Sequence, residues 1–322
     1  MKLDEPLHTL KLQLKSRLVY PPMATGSSSN GCPSQRTLEH YLQVAANPHV
    51  GLLITEHSYI DPQGKAGQNQ MSFASDDVIP YQKALSQQVH EASKGLVLFA
   101  QISHAGANTS SQITGQQLVS ASALNKGLDV SRPLTIKEIQ ALEDEFAAAA
   151  VRVKEAGYDG VEIHSAHNYL LNQFYSPLTN SRTDAYGGPF ENRLRFLLET
   201  IQKVRAAVGD SYPIAVRLGG CDYEAGGSTI EDAVQAARLL EKAGIDLLDL
   251  SGGIHIYQRP GHTEPGWFSD MSEAVNANIT IPVILTGGIK TVSQAETLLT
   301  ENKADLVGVG RAMLANPLWG NN

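Results

Sequence analysis

The chain has 322 residues, of which 42% are hydrophobic and 18% are charged, and its formal net charge is −8. This apolar content excludes an intrinsically disordered protein, and the acidic balance argues against a general nucleic-acid-binding protein. The length suffices for two ordinary domains or for one large α/β barrel.

Eight short apolar runs alternate with amphipathic segments along the chain. The runs are rich in Val, Ile and Leu and are bounded by Gly, Pro or polar residues, which is typical of strands buried on both faces of a parallel sheet. The predicted strands are 17–23, 51–56, 96–102, 160–164, 213–218, 247–252, 282–288 and 306–311.

The segments between these runs have the hydrophobic period of helices. The clearest begins at Thr135, with Glu138 as the partner of a capping box, and ends before Gly157. The predicted helices are 34–46, 76–92, 135–156, 190–208, 229–243 and 292–300.

Eight strands alternating with helices allow two architectures, a doubly wound sheet or a closed barrel. A dinucleotide-binding doubly wound sheet would show G-x-G-x-x-G after its first strand, and the segment PPMATGSSSNG lacks that fingerprint. The α/β chain is therefore predicted to form a single (β/α)8 TIM barrel over residues 1–322. Long polar loops follow the third and fourth strands, at the end of a barrel where active sites form.

The cysteines and the apolar segments exclude further classes. Cys32 and Cys221 form no CxxC pair, so a disulfide framework, a structural zinc site or an iron–sulfur cluster is not expected. No segment resembles a signal peptide or reaches 18 consecutive apolar residues, so we expect a cytoplasmic protein without a membrane span.

His164, His167 and Tyr169 follow one another at the end of the fourth strand. Two imidazoles and a phenol at the mouth of a barrel can donate hydrogen bonds to a carbonyl oxygen and supply a proton. Alternatively, both histidines bond backbone carbonyls and Tyr169 packs, or the histidines bind a metal ion. No carboxylate or cysteine nearby completes a metal site, so no metal is expected.

Glycines and an arginine end the seventh and eighth strands. Gly287, Gly288 and Gly310 permit close backbone approach, and Arg311 offers a cationic fork, a combination that suits a phosphate group. The other interpretation is ordinary turn glycines beside a surface arginine.

Other candidate residues stand near the ends of the first, third and fifth strands. Arg217 faces inward and needs either a carboxylate such as Glu162 or an anionic ligand. The carboxamide of Gln101 can bond an edge that presents both a donor and an acceptor, or it satisfies buried backbone. Met23 and Ala24 form an apolar floor or belong to the core.

Residues 164–196 resemble the signature of the Old Yellow Enzyme family, flavin-dependent barrel oxidoreductases that reduce activated alkenes. The matching segment reads HSAHNYLLNQFYSPLTNSRTDAYGGPFENRLRF. Supporting segments follow the family's order along nearly the whole chain, and these are RLVYPPMAT, GLLITE, AQISHAG, AVRLGG, LTGGI and DLVGVGRAML.

The resemblance implies FMN in the mouth of the barrel and NADH or NADPH as the reductant. It places His164 and His167 on the substrate's carbonyl or nitro oxygen and makes Tyr169 the proton donor. The cofactor-binding residues it implies are Pro22, Met23, Ala24, His57, Gln101, Arg217, Gly287, Gly288, Gly310 and Arg311.

Four features depart from the family's pattern. Ala24 replaces a frequent Thr or Cys, His57 replaces a small residue such as Ala, and Gly26 replaces a tyrosine that lines the substrate pocket in some members. The chain ends at Asn322, soon after the eighth strand. It therefore resembles the single-domain branch of the family, with its last helix cut short.

The sequence thus predicts an FMN-dependent NAD(P)H oxidoreductase that reduces the C=C bond of α,β-unsaturated carbonyl or nitro compounds. Its expected partners are this small-molecule alkene and further copies of the chain in a homo-oligomer of unspecified size, without nucleic acid or membrane. The alternatives are an NAD(P)H oxidase or oxidative demethylase on the same flavin barrel, a protein that stores FMN, and a flavin-free phosphosugar enzyme using Lys290 or Glu56.

Overall fold

Eight parallel strands close into a barrel in the computed structural model, which describes residues 1–321. The strands pair in chain order, and the eighth returns to pair with the first. The predicted (β/α)8 barrel is therefore confirmed. The strands are β1 (Leu18–Tyr20), β2 (Val50–Tyr59), β3 (Val97–Ser103), β4 (Gly160–Ser165), β5 (Ile214–Leu218), β6 (Leu247–Leu250), β7 (Val283–Leu285) and β8 (Leu306–Gly308).

Helices surround the barrel and cover the outward faces of its strands. The predicted capping box of the longest helix is present, because the Thr135 hydroxyl accepts from the Glu138 N–H and the Glu138 carboxylate accepts from the Thr135 N–H. The helices are α1 (Gln35–Ala45), α2 (Ile79–Ala92), α3 (Ile136–Glu155), α4 (Phe190–Val208), α5 (Ile230–Lys242), α6 (Ser269–Asn276), α7 (Val292–Thr300) and α8 (Arg311–Ala315).

Several boundaries differ from the sequence predictions. Strand β7 ends at Leu285 rather than at residue 288, since Gly287 and Gly288 have φ values of 113° and 67° that a strand does not accommodate. Helix α6 and the short helix Leu170–Tyr175 were not predicted. Both are too short to show a helical period.

An N-terminal hairpin that the sequence did not reveal closes one end of the barrel. Leu7–His8 pairs antiparallel with Gln13–Leu14. Its leucines join a buried cluster with inward-facing residues near the starts of the strands, such as Leu52 and Phe99. The hairpin therefore seals the amino-terminal end and leaves the carboxyl ends of the strands free for a site.

No helix within residues 1–321 is long and apolar enough to cross a membrane.

Gly160 makes room for Phe99, the largest side chain of the apolar cluster inside the barrel. It pairs with Phe99 across β3 and β4, and a methyl group at Gly160 would overlap the Phe99 ring. We expect Gly160→Ala to lower the free energy of unfolding by about 1–3 kcal/mol, the usual cost of overpacking a core. Urea denaturation measures this cost.

The matched control is the double variant Gly160→Ala with Phe99→Leu. It should cost less than the sum of the two single changes, since the smaller side chain relieves the overlap. Strict additivity would contradict this packing account.

Candidate active site

One cavity of about 720 Å³ opens at the carboxyl ends of the barrel strands. Its size is typical of a site for a small molecule or cofactor. All thirteen residues selected from the sequence line it. These are Pro22, Met23, Ala24, His57, Gln101, His164, His167, Tyr169, Arg217, Gly287, Gly288, Gly310 and Arg311.

The rings of His164, His167 and Tyr169 are packed together on one wall of this cavity. The His164 ring centroid lies 4.9 Å from that of His167 and 4.9 Å from that of Tyr169. His57, from the end of β2, adds a third imidazole with its centroid 5.4 Å from Tyr169. Three imidazoles and one phenol thus face the same space.

A strained turn after β4 carries two of these side chains. His167 and Asn168 both have φ of 59°, in the left-handed region that residues other than glycine rarely adopt. The Asn108 amide donates to the His167 carbonyl (3.2 Å), and the Gln173 amide donates to the Asn168 carbonyl (2.6 Å). Hydrogen bonds from neighbouring elements thus hold an unfavourable backbone conformation, as is common at functional sites.

The environment keeps the imidazoles neutral and the phenol protonated. Burial and the positive charge of Arg217 hold the pKa of His167 well below its usual value. Burial, followed by the neighbouring His167, His57 and Arg217, has the same effect on the pKa of His164. Burial raises the pKa of Tyr169 to about 12. At neutral pH each histidine therefore has one N–H to donate, and Tyr169 retains its proton.

A buried polar layer lies beneath the cavity, on the inward positions of four neighbouring strands. Arg217 pairs in register with Asp249, and its Nε lies 3.2 Å from the Asp249 carboxylate. Glu162 instead accepts a hydrogen bond from the Gln101 amide (2.7 Å). The sequence allowed either a carboxylate, with Glu162 as the example, or an anionic ligand as the partner of Arg217; the structure provides a carboxylate, but it is Asp249 on the adjacent strand.

The two carboxyl groups of this layer bind protons more tightly than usual. Burial, and then the negative charge of Asp249, raises the pKa of Glu162. Burial also raises the pKa of Asp249, although Arg217 opposes that shift. Protonation of either carboxyl group would leave less negative charge beside the Arg217 guanidinium. An anionic group in the cavity would then interact favourably with that guanidinium.

The amide of Gln101 is oriented by the same layer. Its Nε2 points down to Glu162, so its Oε1 is left for the cavity that Gln101 lines. The carboxamide can therefore accept a hydrogen bond from a bound group.

The glycine loops after β7 and β8 form a second part of the cavity. A side chain on Gly287 or Gly288 would overlap the Trp267 indole, and one on Gly310 would overlap the Met23 sulfur. The Arg311 guanidinium lies over the Trp267 ring, 5.0 Å from its centroid. A cationic group thus stands beside backbone that glycine alone permits.

The sequence also named Glu56 and Lys290 as candidates for a different chemistry. Glu56 is buried, and its carboxylate accepts hydrogen bonds from both the hydroxyl and the N–H of Thr25. These bonds support the segment that precedes Thr25. Lys290 lines the cavity. Within residues 1–321, no three His, Cys, Asp or Glu side chains are arranged to hold a metal ion.

Sequence reasoning missed three residues that shape the site. Ser251 bonds the His167 Nε2 through its hydroxyl (2.8 Å), Asn108 supports the strained turn, and Trp267 packs on the glycine pair. Ser251 directly follows β6, so its place at a strand end was a usable signal. Trp267 comes from the loop before α6, and no strand position pointed to it.

Comparison with known proteins agrees with this architecture. The model of the NADH:flavin oxidoreductase / NADH oxidase family matches residues 2–322. A protein named NADH oxidase from Thermoanaerobacter brockii is 40% identical over 96% of this chain and 48% of its own length. The chain thus spans about half the length of that relative.

Two further proteins are matched over most of their length. A protein named NADPH dehydrogenase from Halalkalibacterium halodurans is 35% identical over 95% of this chain and 89% of its own. The structure of an old yellow enzyme homologue from Zymomonas mobilis superposes with a TM-score of 0.85 at 27% identity, covering 98% of this chain and 90% of that one. The chain therefore belongs to the NADH:flavin oxidoreductase / NADH oxidase family, of the old yellow enzyme type, whose members use FMN with NADH or NADPH as the reductant.

Proposed function

We propose that this chain binds FMN in its cavity and reduces the activated C=C bond of α,β-unsaturated carbonyl or nitro compounds with NADH or NADPH. The observation that supports this most is the arrangement of His164, His167 and Tyr169, two neutral donors and one protonated phenol, in a cavity underlain by Arg217. One wall of the cavity would thus both activate the substrate oxygen and deliver the proton.

The residues of the cavity suit FMN. The Gln101 carboxamide would hold the polar edge of the flavin ring, and Arg217 would face the part that becomes negative on reduction. The glycine loops with Arg311 would hold the phosphate. Pro22, Met23 and Ala24 would supply apolar contact to the ring, and His57 would border it.

Bound FMN supplies a two-electron carrier that takes a hydride from NAD(P)H and passes a hydride to the substrate. His164 and His167 would donate their N–H groups to the carbonyl or nitro oxygen. These bonds draw electrons from the double bond and stabilise the negative charge that develops on that oxygen. Neutral imidazoles suit this task because their hydrogen bonds polarise the oxygen without transfer of a proton to it.

Tyr169 would deliver the proton to the carbon next to the activating group. Its raised pKa keeps the phenol protonated at neutral pH, and its ring contacts His164, one of the proposed oxygen-binding residues. Proton delivery then occurs on the wall where the substrate oxygen is bound. NAD(P)H and the alkene would use this cavity in turn.

A second candidate is an NAD(P)H oxidase on the same flavin barrel. It is favoured by the name of the Thermoanaerobacter relative, NADH oxidase. Reduction of oxygen requires no transfer of a proton from Tyr169 to a substrate carbon. The two candidate functions therefore differ in whether they need this residue. The cytoplasmic location and the homo-oligomer expected from the sequence stay predictions.

Replacing Tyr169 by Phe tests the proton-donor assignment. We expect Tyr169→Phe to slow reoxidation of the reduced enzyme by cyclohexenone about 100-fold or more, the usual contribution of a positioned general acid. Reduction by NADPH should change little, since that half-reaction needs no proton from the phenol. Anaerobic stopped-flow absorbance measures both half-reactions. Equal slowing of the two would contradict the assignment.

Phenol binding tests the two imidazoles. A phenolate presents one anionic oxygen, as the polarised substrate does. The double variant His164→Ala with His167→Ala should therefore bind 4-chlorophenol at least tenfold more weakly, as loss of hydrogen bonds to a charged group implies. Titration of the flavin absorbance measures the dissociation constant, with Tyr169→Phe as the control that keeps both imidazoles. Unchanged affinity in the double variant would exclude this role.

A further inference from the structure

His57 reaches the cavity because the pairing of β2 is irregular. Leu52 and Ile54 face the barrel interior, so strict alternation would turn Glu56 inward and His57 outward. The register between β2 and β3 shifts between Thr55 and Ser58, where β2 contains one extra residue. Such a bulge re-aims the side chains that follow it. Here it turns His57 into the cavity.

A second feature decides which nitrogen of His57 carries the proton. The Gln70 Oε1 accepts from the Ala66 N–H (2.6 Å), so the Gln70 Nε2 is left to donate. That Nε2 lies 3.0 Å from the His57 carbonyl and 2.6 Å from the His57 Nδ1. Because both bonds require a donor on Gln70, Nδ1 is an acceptor. The proton of the neutral imidazole is therefore on Nε2.

The free N–H of His57 belongs to the wall of the proposed active site. The side chain is half-buried and lines the cavity, and its Nε2 has no hydrogen-bond partner within residues 1–321. Its ring centroid lies 5.4 Å from Tyr169 and 6.3 Å from His164. Burial and the charge of Arg217 lower the pKa of His57 to about 4, so it stays neutral at neutral pH.

Three neutral donors consequently share one wall of the cavity with Tyr169. His164 and His167 form one pair of donors, and His57 adds a third donor whose ring centroid lies 6.3 Å from that of His164. A substrate with one activating oxygen bonds the first pair and leaves the His57 N–H without a partner. A substrate with a second acceptor can satisfy all three donors. Binding of a substrate with one acceptor is disfavoured because it leaves a buried donor unsatisfied.

We propose that His57 is a specificity-determining residue whose Nε2–H binds a second acceptor group of the substrate. The favoured substrate class is then an alkene flanked by two carbonyl groups, as in a cyclic 1,4-dicarbonyl compound. This inference rests on the proposed function, because it extends the substrate class of the same site.

The test compares two non-reducible ligands that differ by one carbonyl group. N-methylsuccinimide has two acceptors on a five-membered ring, and N-methylpyrrolidone keeps the ring with one. Both are titrated into the oxidised, FMN-loaded enzyme, and the flavin absorbance reports binding. His57→Leu removes the donor at similar volume, and His57→Gln keeps an amide donor near the position of Nε2.

We expect the wild-type enzyme to bind N-methylsuccinimide about tenfold more tightly than N-methylpyrrolidone, the value of about one hydrogen bond. His57→Leu should abolish this preference, so that the dissociation constants of the two ligands lie within about twofold of each other. His57→Gln should restore most of the preference.

Three results would overturn the proposal. In the first, the wild-type enzyme binds the two ligands with equal affinity. In the second, His57→Leu weakens the binding of both ligands equally, which indicates that His57 only packs in the site. In the third, His57→Leu shifts the flavin absorbance maximum and leaves the preference intact, which assigns the His57 donor to the cofactor. Failure of the proposed function can be distinguished from these three results. In that case no alkene would reoxidise the reduced wild-type enzyme, whereas the preference between the two ligands could still be measured.

Discussion

The ion pair between Arg217 and Asp249 is the interaction on which the site depends. Both side chains are buried on inward positions of adjacent barrel strands, where a charge without a partner is costly. Burial first, and then neighbouring groups that include the positive charge of Arg217, lower the pKa of all three cavity histidines. The charge of Arg217 thus offsets the buried carboxylates, adds to the effect of burial on the donors above it and favours an anionic ligand.

The parallel barrel makes this arrangement possible through its register. Neighbouring strands place Gln101 beside Glu162, His164 beside Arg217, and Arg217 beside Asp249. The hairpin at the opposite end and Phe99 fill the lower interior with apolar groups. Polar side chains are therefore confined to the layer beneath the cavity, where a bound group can complete their interactions.

The barrel and the residues that line its cavity were predictable from the sequence, whereas their partners were not. The position of Arg217 in the fifth strand placed it inward, and glycines at two strand ends marked one part of the cavity. The choice of Asp249 over Glu162 as the partner of Arg217 depends on distances between strands, which a sequence pattern does not contain. The position of His57 depends on a bulge, since alternation alone would turn it outward. Trp267 arrives from a loop without any periodic signal.

Family membership and the geometry of the cavity lead to the same chemistry by separate routes. The family uses FMN with NADH or NADPH, and the cavity offers an amide, a cation and glycine loops suited to such a group. His57 stands where a small residue is common in the family the sequence resembles, and it adds a third neutral imidazole to the wall of the cavity. In the proposed function, this third donor would select among activated alkenes.

The most direct test of this account is the visible absorbance of the purified protein under anaerobic conditions, first with NADPH and then with cyclohexenone. The account predicts a flavin band that bleaches with NADPH and returns when the enone is added. A band that returns only when air is admitted would contradict alkene reduction and favour the oxidase. Absence of a flavin band even after addition of FMN would contradict the assignment of the cavity to this cofactor.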